Sequence, residues 1–197
     1  MTQIALFHSV LGARPGMHAA ADRFRSAGHE VLLVDQYDGQ VFDDYDTADA
    51  FAQSLGYPEL MRRAVAAVEG LPEGFVAAGF SNGGGMAQYV ATQRQTSGVL
   101  MLSGALPLHM LGSERWPTGL PAQIHYAQHD PFRQQEWVDM VTTTIQEADA
   151  SLEVFDYLGS GHLFTDASLP AEYQPEEAAL LWQRVLAFEP IAGPPSP

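Results

Sequence analysis

The sequence predicts an α/β domain built on a mostly parallel sheet with helices on both faces. Three observations carry this. Short apolar runs alternate along the chain with helical segments. Several of those runs are continuously apolar, as strands covered on both faces must be. A length of 197 residues, 46% hydrophobic and 17% charged, suits one globular domain with a sizeable core. The domain is expected to span residues 1–189. The Pro-rich stretch 190–197 is expected to be a disordered tail.

Gln3 to His8 reads as the first strand. Pro15 to Ala27 reads as a helix: Pro15 sits in the first turn, where no N–H partner is needed, and Gly28 lies just past the end. Glu30 to Asp35 is a second strand centred on Val31-Leu32-Leu33-Val34. The acidic, aromatic stretch Tyr37 to Tyr57 has two readings. It is a small rim over a site, with Phe42, Tyr45 and Phe51 as apolar walls, or a solvated loop with a few core anchors. Glu59 to Glu69 is helical, because Leu60, Ala64, Val65 and Val68 share a face. Phe75 to Phe80 is the third strand and Gly83 to Gln93 the next helix. Val99 to Leu102 and Ile124 to Ala127 are strands, Gln134 to Ala148 a helix, Leu152 to Tyr157 a sixth strand and Pro175 to Phe188 a closing helix. In such sheets functional residues gather on the loops leaving the carboxyl ends of the strands.

One of those exits carries Gly79-Phe80-Ser81-Asn82-Gly83-Gly84-Gly85. A G-x-S-x-G sequence between a strand and a helix is a nucleophile elbow: the turn strains the serine backbone, and small residues must flank it where strand and helix nearly touch. The competing reading is a tight Gly-rich turn with an incidental serine. A serine hydroxyl is a poor nucleophile near neutral pH and needs a base, which in turn needs an orienting acid.

Four histidines follow Ser81. His109 lies in the Pro-rich loop Leu106-Pro107-Leu108-His109, and His125 sits inside a strand, facing the sheet surface. His129 directly precedes Asp130. His162, in Gly159-Ser160-Gly161-His162-Leu163-Phe164, is flanked by glycine just past the last strand and can reach the sheet rim. His162 is therefore the expected base. Asp130, on the exit loop of the preceding strand, is the expected acid, although an Asp before Pro131 also suits a simple turn. The chain order Ser81, Asp130, His162 is that of the strand–elbow–helix hydrolases. The oxyanion hole would use the backbone N–H of Asn82, and that of Val10 in the loop after the first strand. Ser9, Phe42, His109, Trp116 and Phe164 are candidate pocket residues.

Composition excludes other functions. The net charge is −15, from 24 acidic and nine basic residues, all nine of them arginine. Such a surface repels nucleic acid and anionic membranes, so neither is expected as a partner. Cysteine is absent, which rules out disulfides and thiolate chemistry. The N-terminus lacks a basic start and long apolar stretch, and a cytoplasmic location is expected. No metal is expected.

The chain resembles the dienelactone hydrolase family of α/β-hydrolases. The resemblance rests on His8-Ser9-Val10-Leu11-Gly12, Pro15-Gly16, Ala27-Gly28-His29, Val34-Asp35-Gln36-Tyr37, the elbow at Ser81, His129-Asp130 and Gly161-His162-Leu163-Phe164. It implies an α/β-hydrolase fold, an eight-stranded core trimmed to a compact form without a large lid. It also implies hydrolysis of a small ester or lactone through an acyl-enzyme, without a cofactor. Three positions depart from the best-known members, which carry cysteine at Ser81, glutamate at Ser9 and an arginine near Asp166 that anchors the substrate carboxylate. An anionic lactone is therefore not the expected substrate. Thioester hydrolysis or acyl transfer would use the same triad, and a non-catalytic ligand-binding protein of this fold is the remaining alternative.

Overall fold

The computed structural model describes residues 1–191. Six parallel strands form one sheet in the order β2-β1-β3-β4-β5-β6. They are β1 (Gln3–Phe7), β2 (Glu30–Val34), β3 (Phe75–Phe80), β4 (Thr96–Leu102), β5 (Ala122–Ala127) and β6 (Leu152–Tyr157). The helices are α1 (Pro15–Ser26), α2 (Tyr45–Leu55), α3 (Tyr57–Ala67), α4 (Asn82–Gln93), α5 (Gln135–Glu147) and α6 (Pro175–Leu186), and a 3₁₀ turn spans Leu108–Leu111. All five strand pairings are parallel, and six strands stand where the family resemblance implied a trimmed core of eight.

The period-two pleat divides the core between two faces. Phe7, Ala77, Val99, Met101 and Ile124 point to the side covered by Leu60 and Ala64 of α3, Val90 of α4 and Val141 of α5. Leu6, Val76, Ala78, Leu100 and Leu102 point to the other, where Ala21 and Phe24 of α1 meet Leu181 and Trp182 of α6. Residues of β3 and β4 are buried throughout, which explains the apolar runs Phe75 to Ala78 and Val99 to Leu102 within them.

The structure begins β4 at Thr96 and β5 at Ala122, earlier than the apolar runs alone indicate. It also makes a helix of much of the stretch read as a rim or loop. Asp44 caps α2 by accepting the Thr47 N–H at 2.8 Å. Gly56, at φ +85°, turns the chain directly into α3, whose Pro58 lies in the first turn. Ala48 of α2 joins one core cluster and Ala52 the other. The tail at 190–197 lies almost wholly outside the described residues. Among the described residues no helix is long and apolar enough to cross a membrane.

The strand order places a topological switch at β1 and β3. The chain leaves β1 for β2 on one side, and returns to build β3 to β6 on the other. The loops after β1 and β3 diverge there, opening the crevice in which such sheets bind ligands. Phe7 is in register with Gly79, so the loop His8–Leu11 stands beside Ser81.

Candidate active site

Ser81 lies between β3 and α4 with φ +53° and ψ −119°, a region that non-glycine residues rarely occupy. The chain can take this turn because the residues two before and two after Ser81, Gly79 and Gly83, have no side chains. A Cβ on Gly79 would strike the backbone of Gly83, and one on Gly83 would strike the carbonyl oxygens of Phe7 and His8. Ser81 N–H donates to Leu102 O at 2.7 Å and its carbonyl accepts Gly84 N–H at 2.8 Å, which pins the strained residue to β4 and to α4.

The serine hydroxyl is 2.7 Å from His162 Nε2, and His162 Nδ1 is 2.7 Å from Asp130 Oδ2. Asp130 Oδ1 accepts the Phe132 N–H at 2.8 Å. A carboxylate only accepts, so Nδ1 carries the imidazole proton and Nε2 offers its lone pair to Ser81 O–H. His162 and Asp130 are buried, at 3% and 6% exposure, while Ser81 is partly exposed. The arrangement can draw a proton from the Ser81 hydroxyl on the side open to a ligand.

The backbone N–H groups of Val10 and Asn82 have no protein acceptor among the described residues. Asn82 opens α4, whose N-terminal dipole favours negative charge in front of it. The loop bearing Val10 is shaped by Ser9 and His8. Ser9 Oγ accepts the Leu11 N–H at 3.2 Å, and its carbonyl accepts both Gly12 N–H and the His8 ring. His8 Nε2 in turn accepts the Gln36 N–H at 3.0 Å.

The candidate pocket residues are scattered. The Ser9 hydroxyl is buried within its own loop. Phe42 is half-buried against Phe51, 5.1 Å away, and Tyr37. His109 is exposed on the 3₁₀ turn. Trp116 is buried in the core and donates its indole N–H to Leu120 O at 2.8 Å. Phe164 points into the opposite core cluster, 5.2 Å from Tyr157. The residues that do enclose the imidazole are Phe132, with its ring 4.6 Å away, and Tyr45 of α2, at 5.9 Å. Their own rings are 5.0 Å apart. Phe132 was legible only as a neighbour of Asp130 on the same exit loop, and Tyr45 only as one wall of an unassigned rim.

The other downstream histidines are elsewhere. His125 is fully buried inside β5, between Tyr157 Oη and Gln123 Oε1. Burial, reinforced by the positive Arg184, pushes it down to about 3. His129 is exposed. Asp166 is buried against Gly16 at the start of α1, and accepts the N–H and O–H of Ser168. Arg14 bonds Asp43, the Phe42 carbonyl and Ser168, so its guanidinium is committed to the protein rather than to a substrate anion. No cluster of metal ligands exists among the described residues.

The dienelactone hydrolase family model matches residues 2–189. The chain belongs to the dienelactone hydrolase family. Solved structures with the same fold include a dienelactone hydrolase-like promiscuous phosphotriesterase from metagenomic libraries. It is 21% identical, with a TM-score of 0.79 over 94% of this chain and 84% of that one. A dienelactone hydrolase from Anabaena variabilis is 18% identical, with a TM-score of 0.66 over 94% and 84%. An esterase from Pyrobaculum calidifontis is 14% identical, with a TM-score of 0.68 over 95% and 75%. A comparison with curated proteins gives no significant match. The family is one of hydrolases, and its α/β-hydrolase fold is the one described above.

Proposed function

We propose that this family member is a serine hydrolase that cleaves a small carboxylic ester or lactone through an acyl-enzyme. The single observation that carries the reading is the unbroken line from Asp130 through His162 to Ser81, with both contacts at 2.7 Å. Ser81 Oγ attacks the substrate carbonyl as His162 Nε2 takes its proton, and the carbonyl oxygen becomes an oxyanion facing the Val10 and Asn82 N–H groups. The tetrahedral intermediate collapses to the acyl-serine, and the imidazolium returns its proton to the leaving alkoxide. Water, deprotonated by the same Nε2, then attacks the acyl carbon and releases the acid and the free serine. Asp130 holds the tautomer and stabilises the imidazolium throughout.

An uncharged substrate suits the site. Carboxylates of Glu172, Asp130 and Asp166 all lie close enough to act on the Tyr45 phenol, and Arg14 is occupied. Phe132 and Tyr45 favour an acyl or leaving group with an apolar face. The absence of cysteine suits a cytoplasmic setting. The test is turnover of p-nitrophenyl esters and small lactones by wild type and Ser81→Ala. Hydrolysis by the wild type alone supports the reading; equal rates from both proteins contradict it.

A further inference from the structure

The loop that carries His162 follows β6 through Leu158-Gly159-Ser160-Gly161, a stretch with little intrinsic stiffness. Yet His162 Nε2 must stay within hydrogen-bond reach of Ser81. Two side chains farther along the same loop hold its flanks. Gln174 Oε1 accepts the Gly161 N–H at 3.0 Å while its amide donates to Leu158 O. Glu172 Oε2 accepts the Leu163 N–H, the peptide directly after the base, at 2.6 Å. Its other oxygen, Oε1, accepts the Tyr45 O–H at 2.8 Å. A Cβ on Gly161 would strike the Glu172 carbonyl oxygen, so the two ends of the loop are also in direct backbone contact.

We propose that Glu172 is a positioning residue for His162, fixing the peptide that carries the base and latching Tyr45 of α2 over its ring. This rests on the serine-hydrolase reading above. Both Glu172 oxygens are engaged as acceptors, the role an ionised carboxylate fills and an amide does not. A glutamine there has one acceptor and turns its NH₂ toward the other donor. Burial, with the Glu172 charge next, raises the Tyr45 phenol well above its ordinary range, so it remains a donor. One side chain thus joins the base loop, the α2 helix and the aromatic cover of the imidazole. A displacement of about 1 Å at such a site costs up to about 100-fold in rate.

The test measures the rate of Ser81 labelling by a fluorophosphonate, with kcat and KM for a p-nitrophenyl ester, on folded wild type, Glu172→Ala, Tyr45→Phe and the double variant. Loss of Glu172 is expected to slow labelling and kcat by about 10- to 100-fold, with a much smaller change in KM. Tyr45→Phe keeps the ring and drops the O–H, and is expected to cost about 3- to 10-fold. Added to Glu172→Ala it should cost nothing further, because the hydroxyl has already lost its acceptor. If Glu172→Ala does not fold, Glu172→Gln is read in its place, with an intermediate loss expected. A folded Glu172 variant that is less heat-stable but labels at the wild-type rate reduces Glu172 to a structural brace and overturns the proposal. A wild-type protein that is not labelled at all overturns the serine-hydrolase reading instead, and this proposal with it.

Discussion

His162 Nδ1 donates to Asp130 Oδ2 across 2.7 Å, and both side chains are out of water. This contact decides which imidazole nitrogen is free to accept the serine proton. Asp130→Asn turns an amide N–H₂ or a neutral oxygen toward Nδ1, so the tautomer with a basic Nε2 is no longer enforced. Turnover is expected to fall by about 10³- to 10⁴-fold with little change in KM. Steady-state kinetics on a p-nitrophenyl ester check this, and a loss below tenfold would show that Asp130 is not the orienting acid.

The glycines around Ser81 are required by steric contact. Gly83→Ala puts a methyl group onto the Phe7 and His8 carbonyls, which belong to β1 and the adjoining loop and cannot rotate away. The expected cost is about 1–3 kcal/mol of stability. Activity should fall as well, since the His8–Leu11 loop beside Ser81 is the part displaced. Denaturant melts with an unchanged slope and a lower midpoint would agree; an unaltered midpoint would mean that the elbow relaxes.

Phe132 and Tyr45 cover the imidazole, so Phe132→Ala opens that face to water. The expected result is a rise in KM of about tenfold for esters with an aromatic or branched acyl group. Acetate esters should change much less. A uniform effect across acyl groups would place the acyl chain elsewhere.

Buried histidines set the acid limit of stability. Burial lowers His8, against the opposing Ser9 hydrogen bond and Asp35 charge, and takes His125 down to about 3. The unfolded chain therefore binds these protons first, near the ordinary value of about 6.5. The resulting stability is complete above that value and falls as pH drops below it, the part due to His125 being lost from about 6.5 toward about 3. The slope is at most about 1.4 kcal/mol per pH unit for each histidine. Urea denaturation at pH 7 and pH 5 should give the lower midpoint at pH 5. His125→Gln should flatten the difference, and an unchanged difference would assign it to other groups.

Fold and site were legible to different depths. The strands were readable because β3 and β4 are covered on both sides and carry the apolar runs Phe75 to Ala78 and Val99 to Leu102, whereas the polar Thr96 and Ser97 hid the true start of β4. Ser81, Asp130 and His162, which the structure brings together, stood out because each leaves the carboxyl end of a separate strand, Ser81 has glycines two residues to either side, and His162 follows Gly161. Helix α2 escaped notice because its fully buried positions are only Ala48 and Ala52, too small to mark an apolar stripe. The pocket escaped for another reason. Trp116 and Phe164 look alike in sequence to a site aromatic, yet both are turned into the core, whereas Phe132 and Tyr45 meet over His162 from segments distant in the chain. Glu172 carried no signal at all, since its partners are a backbone N–H and a hydroxyl on another helix.

The most direct measurement is intact-mass analysis after exposure to a fluorophosphonate, followed by mapping of the modified peptide. The expected result is one adduct on wild type, located at Ser81, and none on Ser81→Ala. Folded wild-type protein that acquires no adduct, or a Ser81→Ala protein that acquires the same one, would contradict Ser81 as the nucleophile.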